Sequence, residues 1–200
     1  MSECPLSVED ISFKYGATQV VDRVSHNFRP GKLTAICGPN GSGKSTLFNI
    51  ASGQLAPHSG QVKLNGHPVS LLTAKQRAQH MAMLPQSPDA PAELLVRDLV
   101  ALGRYAHRKP LSGLSAGDEA SIAQALVSTE MQTLADRPLA ALSGGQRQRA
   151  WIAMVLAQEA PLVLLDEPTN HLDISHAVET LDLLKSLVLN EGKSVVAILH

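Results

Sequence analysis

Neither sign of charge dominates this chain: 17 Lys and Arg stand against 18 Asp and Glu, for a formal net charge of −1. That balance excludes a global attraction to a polyanion such as DNA, while leaving room for a local basic patch. Cysteine is scarce, with only Cys4 and Cys37 present and no metal-ligand spacing between them. Cys37 ends an apolar run, where a small buried thiol is expected, and so few cysteines suit a reduced cytosolic compartment. The eight histidines are scattered without an H-x-x-x-H pair, so no metal centre built from them is expected. No apolar stretch approaches the roughly 18 residues that span a bilayer. The N-terminus shows no charged segment leading into an apolar one, as a signal peptide would. Any membrane attachment is therefore expected to run through a protein partner. Internal repeats and low-complexity tracts are missing as well.

What the chain does have is 200 residues, 44% of them hydrophobic, enough for one domain with a proper core and a subdomain inserted in it. Its organising stretch is Gly38-Pro39-Asn40-Gly41-Ser42-Gly43-Lys44-Ser45-Thr46, the P-loop pattern G-x-x-x-x-G-K-[ST]. The apolar run Leu33 to Cys37 before it reads as a short buried strand, and Thr46 to Ala51 after it reads as the start of a helix. Glycines let successive backbone N–H groups close around phosphate oxygens, and the helix adds its positive dipole end. Lys44 would reach the β- and γ-phosphates, and the Ser45 hydroxyl would ligate Mg²⁺. The chain is expected to bind a nucleoside triphosphate.

A second half-site follows at Leu162-Val163-Leu164-Leu165-Asp166-Glu167. Four apolar residues predict a buried parallel strand, and its carboxyl end is where open α/β sheets place ligands. Asp166 would hold Mg²⁺ directly or through water, and Glu167 would polarise the attacking water. Elsewhere, Leu6, Val8, Ile11 and Phe13 alternate roughly as a strand does, and Val20 to Phe28 is a second extended run. Gln61 to Leu64 reads as a hairpin arm, Thr73 to His80 as a short helix and Met81 to Leu84 as a strand. The composition then turns helical, with Val96 to Arg104 one helix and Ser115, three residues before Asp118, opening another. Residues 87–155 read as an inserted helical subdomain, between core segments 1–86 and 156–200. Arg104, His107, Arg108 and Lys109 read as a solvated helix end. Ile174, Val178, Leu181, Leu184 and Val188 mark an amphipathic helix that stops near Gly192, before the apolar strand Val195 to Leu199.

Leu142-Ser143-Gly144-Gly145-Gln146 puts a capping Ser143 and a capping-box Gln146 around two glycines, a helix N-terminus open to an anion. Arg147 and Arg149 just after it could support that role. This stretch resembles the signature motif of ATP-binding cassette (ABC) ATPases, and other motifs of that family match along the whole chain. Gln86 resembles the Q-loop glutamine, which senses the γ-phosphate and Mg²⁺ and touches the transport partner. Tyr15 resembles the aromatic residue that stacks on adenine. Asn170-His171-Leu172-Asp173 resembles the D-loop, and His200 the switch histidine on the γ-phosphate. The resemblance implies an α/β P-loop core with an N-terminal antiparallel β region and an inserted helical subdomain. It also implies ATP and Mg²⁺ as ligands, and two cassettes packed head to tail. Ser143 to Gln146 and Asp173 would then act on the neighbour's nucleotide, while Lys44, Gln86, Glu167 and His200 act on the chain's own. The family pattern continues past His200, so a truncated chain is expected.

Leu84-Pro85-Gln86, Val96 to Tyr105 and Thr169 to Ile174 further resemble cassettes that serve importers of iron-siderophore, haem or cobalamin chelates, although Ala106 stands where those carry proline. That likeness implies ATP-driven uptake through a polytopic membrane permease, with a substrate-binding protein as an indirect partner. The cassette would sit at the cytoplasmic face of the inner membrane, and no nucleic acid is expected. A cassette for another cargo, or a soluble clamp on nucleic acid or ribosome, is the alternative, but the coiled coil, zinc module or second cassette usual in such clamps is missing.

Overall fold

The computed structural model describes residues 5–109, 112–170 and 172–199. Two four-stranded sheets form the frame. The antiparallel one is ordered β2-β1-β4-β5, from β1 (Leu6–Tyr15), β2 (Thr18–Phe28), β4 (Ser59–Leu64) and β5 (His67–Pro68). The parallel one is ordered β3-β8-β7-β6, from β3 (Leu33–Ile36), β6 (Met81–Leu84), β7 (Leu162–Asp166) and β8 (Ser194–Ile198).

The uneven spacing of Val8 and Ile11 has a local cause. The register of β1 shifts between Val8 and Ile11 against β2 and between Glu9 and Ser12 against β4, and Asp10 adopts a left-handed backbone, φ 52°. A bulge there returns Ile11 and Phe13 to the face already occupied by Leu6 and Val8, and all four are buried. The central strands β7 and β8 are buried at every position, as strands covered on both faces must be. Their side chains alternate between two cores. Leu162, Leu164, Val196 and Ile198 join the antiparallel sheet and Phe48 on one face. Val163, Leu165, Val195 and Ala197 join the helices on the other. Each Val, Leu or Ile among them contributes about 1.5–3 kcal/mol by leaving water.

Six α-helices lie among the described residues: α1 (Lys44–Ala51), α2 (Ala74–His80), α3 (Val96–Leu102), α4 (Ala116–Ser128), α5 (Gly144–Ala157) and α6 (Ile174–Glu191). Thr73, Ser115 and Ser143 each form a reciprocal capping box with the residue three positions on. Trp151, Ile152, Val155 and Leu156 bring α5 down onto the parallel sheet, in one core with Val96, Leu99, Ile122 and Leu126. Gly192, at φ 66°, ends α6.

Several expectations are corrected. β3 is not buried: it pairs only with β8 among the described residues, its positions are half-buried or exposed, and Cys37 beyond it is exposed. The apolar stripe of α6 does not all face inward. Ile174 and Val178 are 85% and 52% exposed, and the helix buries Thr180 and Leu187 beside the expected Leu184. Arg104 is no solvated helix end. It is buried, with Nε donating to Asp118 (2.8 Å) and one terminal nitrogen donating to the Ala157 carbonyl (2.6 Å) and the Glu159 carboxylate (2.7 Å). It joins the end of α3, the first turn of α4 and the end of α5.

Candidate nucleotide-binding site

The organising loop leaves β3 and returns as α1. Gly41 and Gly43 take left-handed conformations, φ 77° and 90°, which a side chain resists. Gly43 is constrained by space as well, since a Cβ there would lie 2.6 Å from the Val20 carbonyl oxygen of β2. Lys44, the first residue of α1, is 8% exposed. Its ammonium donates to the Gly38 and Pro39 carbonyls at 2.8 and 2.9 Å, which folds it over the loop. Gly43 supplies no capping side chain and the first turn of α1 has no acid. The leading N–H groups of α1 therefore stay available to an anion.

Asp166 ends β7 at 7% exposure. Glu167 follows with φ 52°, a conformation a non-glycine residue holds only where its surroundings enforce it. Its Oε2 accepts from Gln86 Nε2 at 2.7 Å and from Asn170 Nδ2 at 2.9 Å. Gln86 arrives from the chain just past β6, which pairs in parallel with β7 through Leu84 and Leu165. Asn40, Gly41, Gly43, Lys44, Ser45 and Thr46 thus meet Gln86, Glu167 and Asn170 around one cavity of about 680 Å³. The Ser45 hydroxyl, the Gln86 amide oxygen and the Asp166 carboxylate are hard oxygen donors of the kind Mg²⁺ takes.

Other expected site residues lie apart from this cavity. Tyr15 is 57% exposed and packs edge-on against Phe13, with centroids 4.9 Å apart. Ser143 to Gln146 open α5, with Ser143 and Gly144 exposed and Gly145 buried. Asp173 caps α6, and the His176 backbone N–H and ring that donate to it hold its carboxyl below the usual range. None of these lines the cavity. His200 and His171 lie outside the described residues. Arg149 departs from its suggested role beside the signature, because its guanidinium pairs with Glu130 (2.7 Å) and Glu179 (2.6 Å). Arg147 has a terminal nitrogen 3.5 Å from the Leu142 carbonyl.

Two lining residues escape sequence reasoning. Val20 reaches the loop only through tertiary packing of β2, and no local pattern announces that. Asn170 belongs by resemblance to the D-loop, yet its side chain also restrains Glu167. The signal available was its place three residues on, which closes a turn through Asn170 N–H to Glu167 O at 3.0 Å.

The profile of the ABC transporter family matches residues 21–170. The probable siderophore transport system ATP-binding protein YusV of Bacillus subtilis (strain 168) is 42% identical over 200 residues, which are 100% of this chain and 73% of that protein. Among solved structures, an inward-facing conformation of a putative metal-chelate type ABC transporter superposes with a TM-score of 0.86 at 32% identity, covering 100% of this chain and 74% of that one. A dimeric structure of MJ0796, a bacterial ABC transporter cassette, gives a TM-score of 0.84 at 28% identity, covering 98% and 88%. With the loop, the acidic strand end and the signature helix all set in this fold, the chain belongs to the ABC transporter family as one of its ATP-binding cassettes.

Proposed function

We propose that this cassette binds and hydrolyses MgATP to energise an importer of metal chelates of the siderophore or cobalamin class. It would work as a head-to-tail homodimer at the cytoplasmic face of the inner membrane, beneath a polytopic permease fed by a substrate-binding protein. Residues 87–155 form the inserted helical unit of this reading, between core segments 1–86 and 156–200. The similarity to a siderophore system's ATP-binding protein and to a metal-chelate type transporter supports the cargo class. The dimeric cassette among the structural neighbours supports the assembly.

The observation that carries the chemistry is the meeting of Lys44, Gln86 and Glu167 at one cavity. Lys44 would turn its ammonium from the loop carbonyls to the β- and γ-phosphates. Ser45, Gln86 and Asp166 would hold Mg²⁺, which when bound neutralises charge on the phosphates. Glu167 would polarise the attacking water. Gln86 and Asn170 both donate to its Oε2, which restrains rotation of the carboxylate and fixes the direction in which it accepts a proton. Tyr15 would stack on adenine and His200 would approach the γ-phosphate. Ser143 to Gln146 and Asp173 stand off the cavity, and in this reading they complete the partner's site.

Two substitutions test the assignment. Glu167→Gln should keep ATP affinity, lower turnover about a hundredfold or more, and accumulate an ATP-bound dimer on sizing chromatography. Lys44→Ala should weaken ATP binding itself, because it withdraws a charge from the phosphates. Equal loss of nucleotide affinity in both variants would refute the roles.

A further inference from the structure

Within the signature stretch the two glycines face different surroundings. A Cβ on Gly144 would meet nothing within 4 Å, whereas one on buried Gly145 would lie 2.4 Å from Cδ2 and 2.8 Å from Cγ of His176. Gly145 is therefore small because an imidazole of the same chain occupies the space beside it. The other side of that ring is tied down. His176 Nδ1 lies 2.8 Å from both Asp173 carboxylate oxygens, and since a carboxylate only accepts, Nδ1 carries the proton. The His176 backbone N–H donates to the same carboxylate at 2.9 Å. One turn along, the interface continues: Arg149 of α5 donates to Glu179 of α6 at 2.6 Å.

We propose that His176 is a positioning residue: bonded to Asp173 and seated on Gly145, its ring straps the D-loop to the signature helix of the same chain. This rests on the reading that both segments act across a dimer interface. Neither Asp173 nor Ser143 to Gln146 lines the chain's own cavity, so both are presented outward in a fixed relation to each other. α5 and α6 are separate helices, and Gly145 removes the side chain that would otherwise space their first turns apart. With the ring in place, a shift of the signature helix carries Asp173 with it, and the two approach the partner's nucleotide as one body. Without the ring, Gly145 has a gap beside it and Asp173 keeps only backbone donors.

The test uses the full chain carrying Glu167→Gln, in which ATP-dependent dimerisation can be read by sedimentation. His176→Ala should leave ATP affinity of the monomer unchanged and raise the dimer dissociation constant about tenfold, the scale of a single coupled contact. In the hydrolysing parent it should lower kcat with little change in KM. His176→Phe, which keeps a ring on Gly145 but cannot donate to Asp173, should be impaired as well, because the strap needs both ends. Gly145→Ala should weaken dimerisation by displacing the ring, and combining it with His176→Ala should add little further loss. Multiplied losses in the double variant would overturn the proposal, as would an unaltered dimer in His176→Ala or a loss confined to melting temperature. If the Glu167→Gln parent itself forms no ATP-dependent dimer, the head-to-tail reading falls and takes the strap with it. A dimerising parent with an indifferent His176 overturns the strap alone.

Discussion

Replacing Gly103 by alanine sets two effects of opposite sign against each other. Gly103 ends α3 with φ −57° and ψ −26°, an ordinary right-handed conformation. On the backbone alone, alanine should be favoured there by about 1 kcal/mol. Space decides otherwise. The added Cβ would lie 2.1 Å from the Met154 carbonyl oxygen of α5, and 3.2 Å from both the Ala157 Cβ and the Gln158 nitrogen. An ordinary carbon–oxygen approach is about 3.3 Å, so α3 and α5 must separate by about 1 Å at a point where both are packed into the core. The obstructing atom is main chain and cannot rotate away. Overpacking of this kind costs about 3 kcal/mol, leaving about 2 kcal/mol of net destabilisation after the backbone gain. For a chain of this size that lowers Tm by about 4–8 °C. Differential scanning calorimetry reads it directly. Gly113→Ala is the control, because its Cβ meets nothing within 4 Å, and it should melt with the parent. A Gly103→Ala variant melting at or above the parent would refute the packing argument.

Two further outcomes follow from the site and from the buried arginine. Ser143→Arg and Lys44→Ala chains should each be inactive alone, yet regain ATPase when mixed, because a head-to-tail pair then holds one intact composite site. Loss of ATP binding by the Ser143→Arg monomer, or no recovery on mixing, would count against action in trans. Asp118 is held well below the usual carboxylate range, first by the Ser115 backbone N–H, then by its hydroxyl, then by Arg104. A depressed native value gives stability that is present above the ordinary range, about pH 4, and lost as pH falls through the native value. The advantage of the parent over Asp118→Asn in urea unfolding should thus be constant at neutral pH and shrink progressively below about pH 4. A difference independent of pH down to the acid transition would show that the charge on Asp118 contributes nothing.

How far the sequence could be read depended on the range of the interaction involved. The nucleotide loop, the acidic end of β7 and the capping boxes at Ser115 and Ser143 are legible because their chemistry is contained in a few consecutive residues. Met81–Leu84 and Ile174–Glu191 come out nearly residue for residue, since hydrophobic runs and the stop at Gly192 are also local signals. Burial was the harder quantity. Cys37 and Leu33 read as core from an apolar run, yet an apolar run does not say whether its strand is central or at an edge. β7 and β8 are covered on both faces, and β3 is not.

Arg104 failed in the opposite direction, and for a related reason. A basic residue near His107, Arg108 and Lys109 looks solvated because nothing within reach along the chain offers it an acid. Its partners are Asp118, Glu159 and the Ala157 carbonyl, 14, 55 and 53 positions away. Asp118 is first claimed by Ser115 as a capping residue, a role that gives no hint of a second partner. The same logic separates the two glycines of the signature. Both read as room for a ligand, but Gly145 makes room for His176, 31 positions on in the first turn of α6. Local chemistry therefore names the residues that meet a nucleotide. The contacts that set one helix against another are long-range, and they decide how those residues are held.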